Sequence, residues 1–288
     1  MNQWNDREIT ETLVEAGAIA LTHFEEPRIT VKSDRTPVTE ADVEIEQKLA
    51  GLFDNPARGS YLIGEETVSE KDDSYIQAAL GETAWIVDPI DGTSAFAHGL
   101  GSWGISIARA HRGTITEGAI LLPLTGELFL SSGGRVRYAR EGDTPRRWRF
   151  EELEELTPPG ADAADARHQS IISAAQGVVK RGLYRGPESV HAIGSCVYSV
   201  CYLARGSFSG YIADVGLWDI AAGIAILQAL GFSMKFSDGR PITSAVDNDQ
   251  YDLDPGSRRR FRFRDLAFFA AHEHICDAVR ESAQIRVI

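Results

Sequence analysis

The chain has 288 residues, 43% of them hydrophobic, with a formal net charge of −13, enough apolar material for a sizeable core in one large domain or two coupled halves. The acidic balance excludes the basic surface that nonspecific nucleic-acid binding needs, because that binding is driven by cations displacing counterions from phosphates. No apolar run approaches the roughly 20 residues of a membrane span, and residues 1–8 are polar and acidic, the opposite of a secretion leader.

Ile9, Leu13, Ala16, Ala20 and Phe24 recur at steps of three and four, so residues 7–24 predict an amphipathic helix. Residues 29–31 predict an extended segment, followed by a polar turn reaching Pro37. Thr39 with Asp42 three residues on has the form of a capping box. Ala41, Ile45, Leu49 and Leu52 supply one apolar face, which predicts a helix over 40–53. Tyr61, Leu62 and Ile63 predict a short buried strand that delivers Glu65 and Glu66 at its end, and residues 72–80 predict a helix.

From Trp103 the pattern changes to period two. Strands over 103–108, 114–122, 127–131 and 135–138, separated by turn residues at 123–126 and 133–134, predict an antiparallel meander. Residues 141–168 are rich in charge, Pro, Ala and Asp and carry little periodicity, which places a boundary between an N-terminal half, 1–165, and a C-terminal half, 166–288. Beyond it, strand-like runs at 170–174, 190–193, 208–213, 232–236 and 266–271 alternate with helical runs at 195–204, 219–230 and 272–283, the pattern of an α/β layer. The three cysteines, Cys196, Cys201 and Cys276, are odd in number, lack zinc-type spacing and sit in apolar surroundings. They read as buried free thiols of a cytoplasmic protein. Residues 258–264 alternate arginines with Phe261 and Phe263, a strand or loop edge with solvated arginines or a contact to an anionic substrate tail or a neighbouring subunit.

The chemistry is concentrated in Trp85-Ile86-Val87-Asp88-Pro89-Ile90-Asp91-Gly92-Thr93-Ser94-Ala95-Phe96. A buried-strand candidate, residues 85–87, delivers Asp88 and Asp91 three residues apart. Two carboxylates that close repel unless a cation offsets them, and the repulsion grows as water is removed. Gly92 permits a tight turn, and Thr93, Ser94 and Ala95 can open a helix whose free N–H groups face an anion.

This stretch resembles the signature D-P-[IL]-D-G-[TS] of the inositol monophosphatase superfamily of metal-dependent sugar phosphatases. Three further blocks stand in the family's order: Val31-Lys32-Ser33-Asp34 with Pro37-Val38-Thr39-Glu40-Ala41-Asp42, then Gly64-Glu65-Glu66, then Gly216-Leu217-Trp218-Asp219-Ile220-Ala221-Ala222-Gly223. The resemblance implies a layered α-β-α-β-α sandwich with its site where the two halves meet. It implies that Glu65, Asp88, the carbonyl of Ile90, Asp91 and Asp219 hold two or three Mg²⁺ ions, an all-oxygen donor set that favours Mg²⁺ over zinc. It gives Asp42 and Thr93 the task of orienting and deprotonating the attacking water, with Glu65 beside them. Gly92, Thr93 and Ser94 would hold the phosphate, and Ser195 and Cys196 would line the substrate pocket. On local sequence alone Asp42 is a helix-capping carboxylate, so both of its roles fit together only if one oxygen is left for the site.

The reaction implied is hydrolysis of a phosphate monoester of a small polyol or sugar, inositol-1-phosphate-like, by a cytoplasmic homodimer with no nucleic-acid or membrane partner. Histidinol phosphate, fructose 1,6-bisphosphate and 3′-phosphoadenosine nucleotides are the substrates of other branches of the superfamily. A non-catalytic phosphate- or cation-binding protein is the alternative from another class. Inositol monophosphatases usually carry an acid seven positions before the last metal aspartate. Here that position is Ile212, and Asp214 is the candidate that would take over the contact to the substrate if the loop differs.

Overall fold

The computed structural model describes residues 3–31, 37–140, 150–160 and 170–285. Most of the stretch expected to separate the halves, and residues 32–36 of the first sequence block, lie outside these. Helices α1 (Asp6–Phe24) and α2 (Glu40–Phe53) form one outer layer, linked through the short antiparallel pair β1 (Ile29–Val31) and β2 (Pro37–Thr39). Asn5 caps the first helix through the N–H groups of Arg7 and Glu8. Thr39 and Asp42 cap the second reciprocally, as the sequence predicts. The apolar stripe of α2 ends on buried Phe53, one step of four beyond Leu49, and Leu52 is left exposed.

Against these helices lies a seven-stranded sheet made of β3 (Ser60–Gly64), β4 (Thr83–Asp91), β5 (Gly104–His111), β6 (Thr114–Leu122), β7 (Glu127–Ser132), β8 (Arg135–Arg140) and β9 (Glu154–Glu155), in that spatial order. Strands β3 and β4 are parallel, joined through helix α3 (Asp73–Gly81), and the other pairs are antiparallel. Helix α4 (Thr93–Ala97) follows β4 directly. Side chains alternate across the sheet: Trp85, Val87, Ile105 and Ile107 meet Ile9, Leu13, Ile45 and Leu49, while Ala84, Ile86 and Ala108 face the opposite side. Trp85 is fully buried, stacked 4.1 Å from the ring of Phe53 and 5.8 Å from that of Trp4, and its indole N–H donates to Ser60 Oγ at 3.1 Å.

The opposite face of that sheet is covered by a middle layer and then by a second sheet. In chain order come β10 (Ile171–Ala174), α5 (Gln176–Arg181), β11 (Gly182–Tyr184), β12 (Ser189–Ala192), α6 (Cys196–Ala204), β13 (Gly210–Ala213), α7 (Leu217–Ala229), β14 (Ser233–Phe236), β15 (Ala267–Ala270), α8 (Glu273–Ser282) and β16 (Ala283–Ile285). The five-stranded sheet has the order β12-β10-β13-β15-β14, parallel among its first three strands and antiparallel in the rest. Helix α7 is apolar all round, with every residue from Ile220 to Leu227 buried. A helix of that kind has no solvent face to offer, and it lies between the two sheets. Val178, Cys276 and Val279 pack on the outer face of the second sheet against Ile172, Ile212 and Phe268. The order of layers is therefore α-β-α-β-α, as expected.

Short pieces escape the sequence pattern. The antiparallel pair β11 and β16 and the one-and-a-half-turn helix α5 are too brief to show a period. Cys196, Cys201 and Cys276 are buried free thiols. Among the described residues no helix is long and apolar enough to cross a membrane.

Trp85 locks β4 to the outer helix layer, so Trp85→Ala is expected to lower unfolding stability by about 3–5 kcal/mol. A denaturant titration followed by circular dichroism measures this. A midpoint that does not move contradicts the assigned packing.

Candidate active site

In a regular strand, residues three apart point to opposite faces, so Asp88 and Asp91 should not meet. They do because β4 changes register against β5 between them. Pro89 has no N–H to give the ladder, which favours such an irregularity. The parity slips by one: Trp85 and Val87 face the α1/α2 layer, and after the slip so does Ile90. Asp91 thereby turns to the same side as Asp88. The strand runs through the motif to Asp91, where the sequence pattern had suggested it would end at residue 87.

Asp219 reaches these two from α7. As the third residue of that helix it accepts the Gly216 N–H on Oδ2 at 2.7 Å, and the helix's first turn is tied to the seven-stranded sheet by Ser106 Oγ donating to Trp218 O at 3.2 Å. Carboxylate oxygens of Asp88, Asp91 and Asp219 lie within 4.8 Å of one another. Asp91 has its own partners, since its Oδ2 accepts from Ser195 Oγ and from Val197 N–H, both at 2.6 Å, at the start of α6. Asp88 has none of this kind: it is 1% exposed and, apart from the Asp219 carboxyl beside it, neither carboxylate oxygen meets a hydrogen-bond partner among the described residues.

These surroundings move the acids in one direction. Burial, then the charges of Glu65, Asp91, Asp219 and Asp42, push the Asp88 carboxyl well above the usual range. Burial first, then Asp219, lift Asp91 to about 7, with Ser195 and the α6 N–H groups pulling the other way. Burial also raises Asp219, which Arg262 and the Gly216 N–H partly offset. A buried all-oxygen cluster with an orphaned carboxylate at its centre suits a hard divalent cation such as Mg²⁺. The donor set therefore fits the expected metal.

The other expected residues surround this triad. Asp42 is fully buried and its Oδ2 accepts from Thr39 N–H at 2.8 Å and Thr39 Oγ1 at 2.5 Å. Its Oδ1 is turned to Thr93 Oγ1 at 3.5 Å, so the cap and the site use different oxygens. The Thr93 hydroxyl also lies 3.0 Å from the carbonyl of Ile90. Glu65, just beyond β3, stands outside the triad, and its charge acts on Asp88 more strongly than that of any other residue. Gly92 has φ 95°, and a Cβ there would come within 2.8 Å of Ser102 O and 3.0 Å of Ser195 Cβ. The motif needs glycine for both conformation and space. Ser94 is exposed, and its carbonyl accepts from His98 Nδ1 at 2.8 Å.

Ser195 and Cys196 border a cavity of about 270 Å³ that opens from Asp91 and Asp219 toward Gln176, Ile193, Tyr211 and Arg262. The Ser195 hydroxyl is committed to Asp91 and to the Tyr198 N–H at 3.1 Å. The Cys196 thiol is pushed up by burial and by Asp91 and Asp219. Asp214 lines the cavity, with its Oδ1 bound by Arg259 Nη2 at 2.9 Å. Ile212 points the other way, into the core beneath α8.

Sequence reasoning missed Glu46. It lies one helical turn beyond Asp42, is fully buried, and accepts the N–H groups of Glu66 at 2.9 Å and Thr67 at 2.8 Å. It thus holds the turn that carries Glu65. Gly64 leaves room for it, since a Cβ there would come within 2.4 Å of the Glu46 carboxyl. The available signal was a carboxylate inside the apolar arc between Ile45 and Leu49.

Without a cation, the raised pKa of Asp91 has a stability cost. Its favourable contribution, full below the ordinary value of 3.8, is lost as pH rises through about 7. In chelator the melting temperature should fall between pH 5 and 8, and Mg²⁺ at about a hundredfold excess over its Kd should raise it by roughly 5–10 °C, more at the upper end of that range. Asp88→Asn should raise the metal-free melting temperature and remove most of the Mg²⁺ increment. Scanning calorimetry of both proteins decides this, and an equal Mg²⁺ increment in Asp88→Asn counts against the cluster as the cation site.

The sequence profile of the inositol monophosphatase family matches residues 5–258. A Nus factor SuhB from Pasteurella multocida is 28% identical over 213 residues, 73% of this chain and 76% of that protein. A histidinol-phosphatase from Mycobacterium tuberculosis is 29% identical over 239 residues, 81% of this chain and 85% of that protein. Among solved structures, an IMPase/NADP phosphatase complexed with Mg²⁺ and phosphate superposes with a TM-score of 0.68 at 20% identity, covering 95% of this chain and 94% of that one. This agreement in fold accompanies a profile match over nearly the whole length, and the chain belongs to the inositol monophosphatase family.

Proposed function

We propose that this phosphoric monoester hydrolase is Mg²⁺-dependent and cleaves the phosphate ester of a small polyol or sugar. Glu65, Asp88, Asp91, Asp219 and the Ile90 carbonyl would hold two or three ions. The observation that carries the reading is an orphaned, buried Asp88 within 4.8 Å of two more carboxylates, beside a threonine hydroxyl that faces Asp42. Mg²⁺ bound there would supply Lewis-acid polarisation of the phosphoryl group and lower the pKa of a water.

The chain's own groups have separate tasks. Thr93 Oγ1 takes a proton from the attacking water as its own hydroxyl proton passes to Asp42 Oδ1, 3.5 Å away, so the threonine stays neutral and Asp42 ends protonated. Asp42 cannot rotate out of that role, because its other oxygen is fixed by Thr39. The Ala95 and Phe96 N–H groups donate to the Gly92 carbonyl at 2.8 and 3.0 Å, and the amides of Gly92 and Thr93, ahead of that turn, are the donors for phosphate oxygens. Residues 1–165 contribute most of the ligands, and residues 166–288 add Asp219 and the cavity for the alcohol. Buried free thiols and an acidic surface suit a cytoplasmic enzyme. Sedimentation would test the homodimer that the resemblance implies.

A second reading, a non-catalytic binder, draws on the relative named as a Nus factor. It gives no reason for Thr93 and Asp42 to face each other beside the acids. Phosphate release from a panel that includes inositol 1-phosphate, histidinol phosphate, fructose 1,6-bisphosphate and a 3′-phosphoadenosine nucleotide, with and without Mg²⁺, separates the two. We expect Mg²⁺-dependent release and a loss of at least about 100-fold in kcat for Thr93→Ala. Absence of release from every ester, or an unchanged kcat in the variant, contradicts the proposal.

A further inference from the structure

The arginine-rich run at 258–264 is not solvated idly. It lies antiparallel to the turn that leads into α7: Leu217 N–H donates to Phe261 O at 2.8 Å, Phe263 N–H donates to Val215 O at 3.1 Å, and Gly216 bridges to Arg262. Phe261 and Phe263 are buried in the core, 3% and 0% exposed. Phe261 has φ 69°, the left-handed region that a bulky side chain occupies only when its surroundings impose it. Between these two anchors Arg262 is delivered to the wall of the cavity beside Asp219.

Its charge is shared between two acids: it draws the Asp219 carboxyl down and reaches Asp214 through one nitrogen only. Arg262 Nη2 donates to Asp214 O at 2.5 Å and lies 3.4 Å from Asp214 Oδ1, an oxygen already taken by Arg259 at 2.9 Å. One carboxylate thus faces two guanidinium groups. Among the described residues neither Nε nor Nη1 of Arg262 makes a hydrogen bond, and its side chain keeps 39% of its exposure. The rest of the cavity wall away from the acids, including Gln176, Ile193 and Gly194, is neutral. A fixed cation next to Asp219 also opposes any metal bound there, a cost that an incoming anion would offset.

We propose that Arg262 makes this cavity select phosphate esters whose alcohol carries a second anionic group, a phosphate or a carboxylate, over esters of neutral polyols. The proposal rests on the phosphatase reading for the location of the cleaved phosphate. A guanidinium fork suits both kinds of anion, because each offers two oxygens to parallel N–H donors.

Binding rather than turnover is the test, so that failure of catalysis and failure of this inference are distinguishable. Calorimetry in Ca²⁺ would compare two matched pairs: fructose 1,6-bisphosphate with fructose 1-phosphate, and 2-phosphoglycerate with glycerol 2-phosphate. Wild-type protein should prefer the doubly anionic member of at least one pair by about tenfold or more, a difference of about 1.4 kcal/mol. The pair that shows it tells whether phosphate or carboxylate is the better second group. In Arg262→Met the ratio should fall to near one, and in Arg262→Lys it should be intermediate. Equal affinities within both wild-type pairs, or a ratio that survives in Arg262→Met, overturns the inference even if the protein hydrolyses esters. Preference in the wild type with loss in Arg262→Met supports it even if no ester is hydrolysed.

Discussion

Repulsion between like charges held close together in a dry place is the constraint that the site and much of the fold are arranged around. Asp88, Asp91 and Asp219 meet within 4.8 Å, and two unit charges at such a distance repel by about 3–4 kcal/mol even at an effective dielectric near 20. Glu65 and Asp42 add to the field at Asp88. A chain that brings these acids together must either neutralise some of them with protons or bind a cation. The choice between those two states links pH, metal and stability in one equilibrium.

The fold distributes the task among its layers. Asp91 is docked on the start of α6, Asp219 on the turn before α7, and Asp42 on its own cap at the start of α2. Each of these carboxylates has protein donors that fix its direction. Asp88, placed among them by the register slip at Pro89, has no such donor among the described residues. Glu46 completes the arrangement from the outer helix layer by holding the turn that presents Glu65. Because Asp91 bonds to α6 and Asp219 belongs to α7, the middle helix layer must be seated correctly on the seven-stranded sheet for the acids to meet.

Much of this was legible in the sequence, for physical reasons that differ by element. Helices α1 and α2 announce themselves by apolar spacing and caps, and the meander by alternation and glycine turns. The acids of the site stand next to glycine, proline and helix starts, where local chemistry limits what they can be. The sequence pattern ended the motif strand at residue 87, whereas β4 carries on to Asp91, because a bulge changes side-chain parity without interrupting pairing. Glu46 was hidden because a buried acid inside an apolar stripe looks like a surface residue until its partners are known. Arg262 was hidden among similar arginines: only the tertiary path, with Phe261 in a left-handed conformation, separates the one that reaches the cavity from those that pair elsewhere.

The most direct test of the central claim counts protons. Calorimetric titration of Mg²⁺ into metal-free protein, repeated in buffers of different ionisation enthalpy, gives the number of protons released on binding. With Asp88 raised well above the usual range and Asp91 near 7, binding near pH 6 should release at least about one proton per chain, and fewer as pH rises past 8. Binding at pH 6 that releases none would show that the acids are already ionised without the metal, contradicting a site held together by the exchange of protons for a cation.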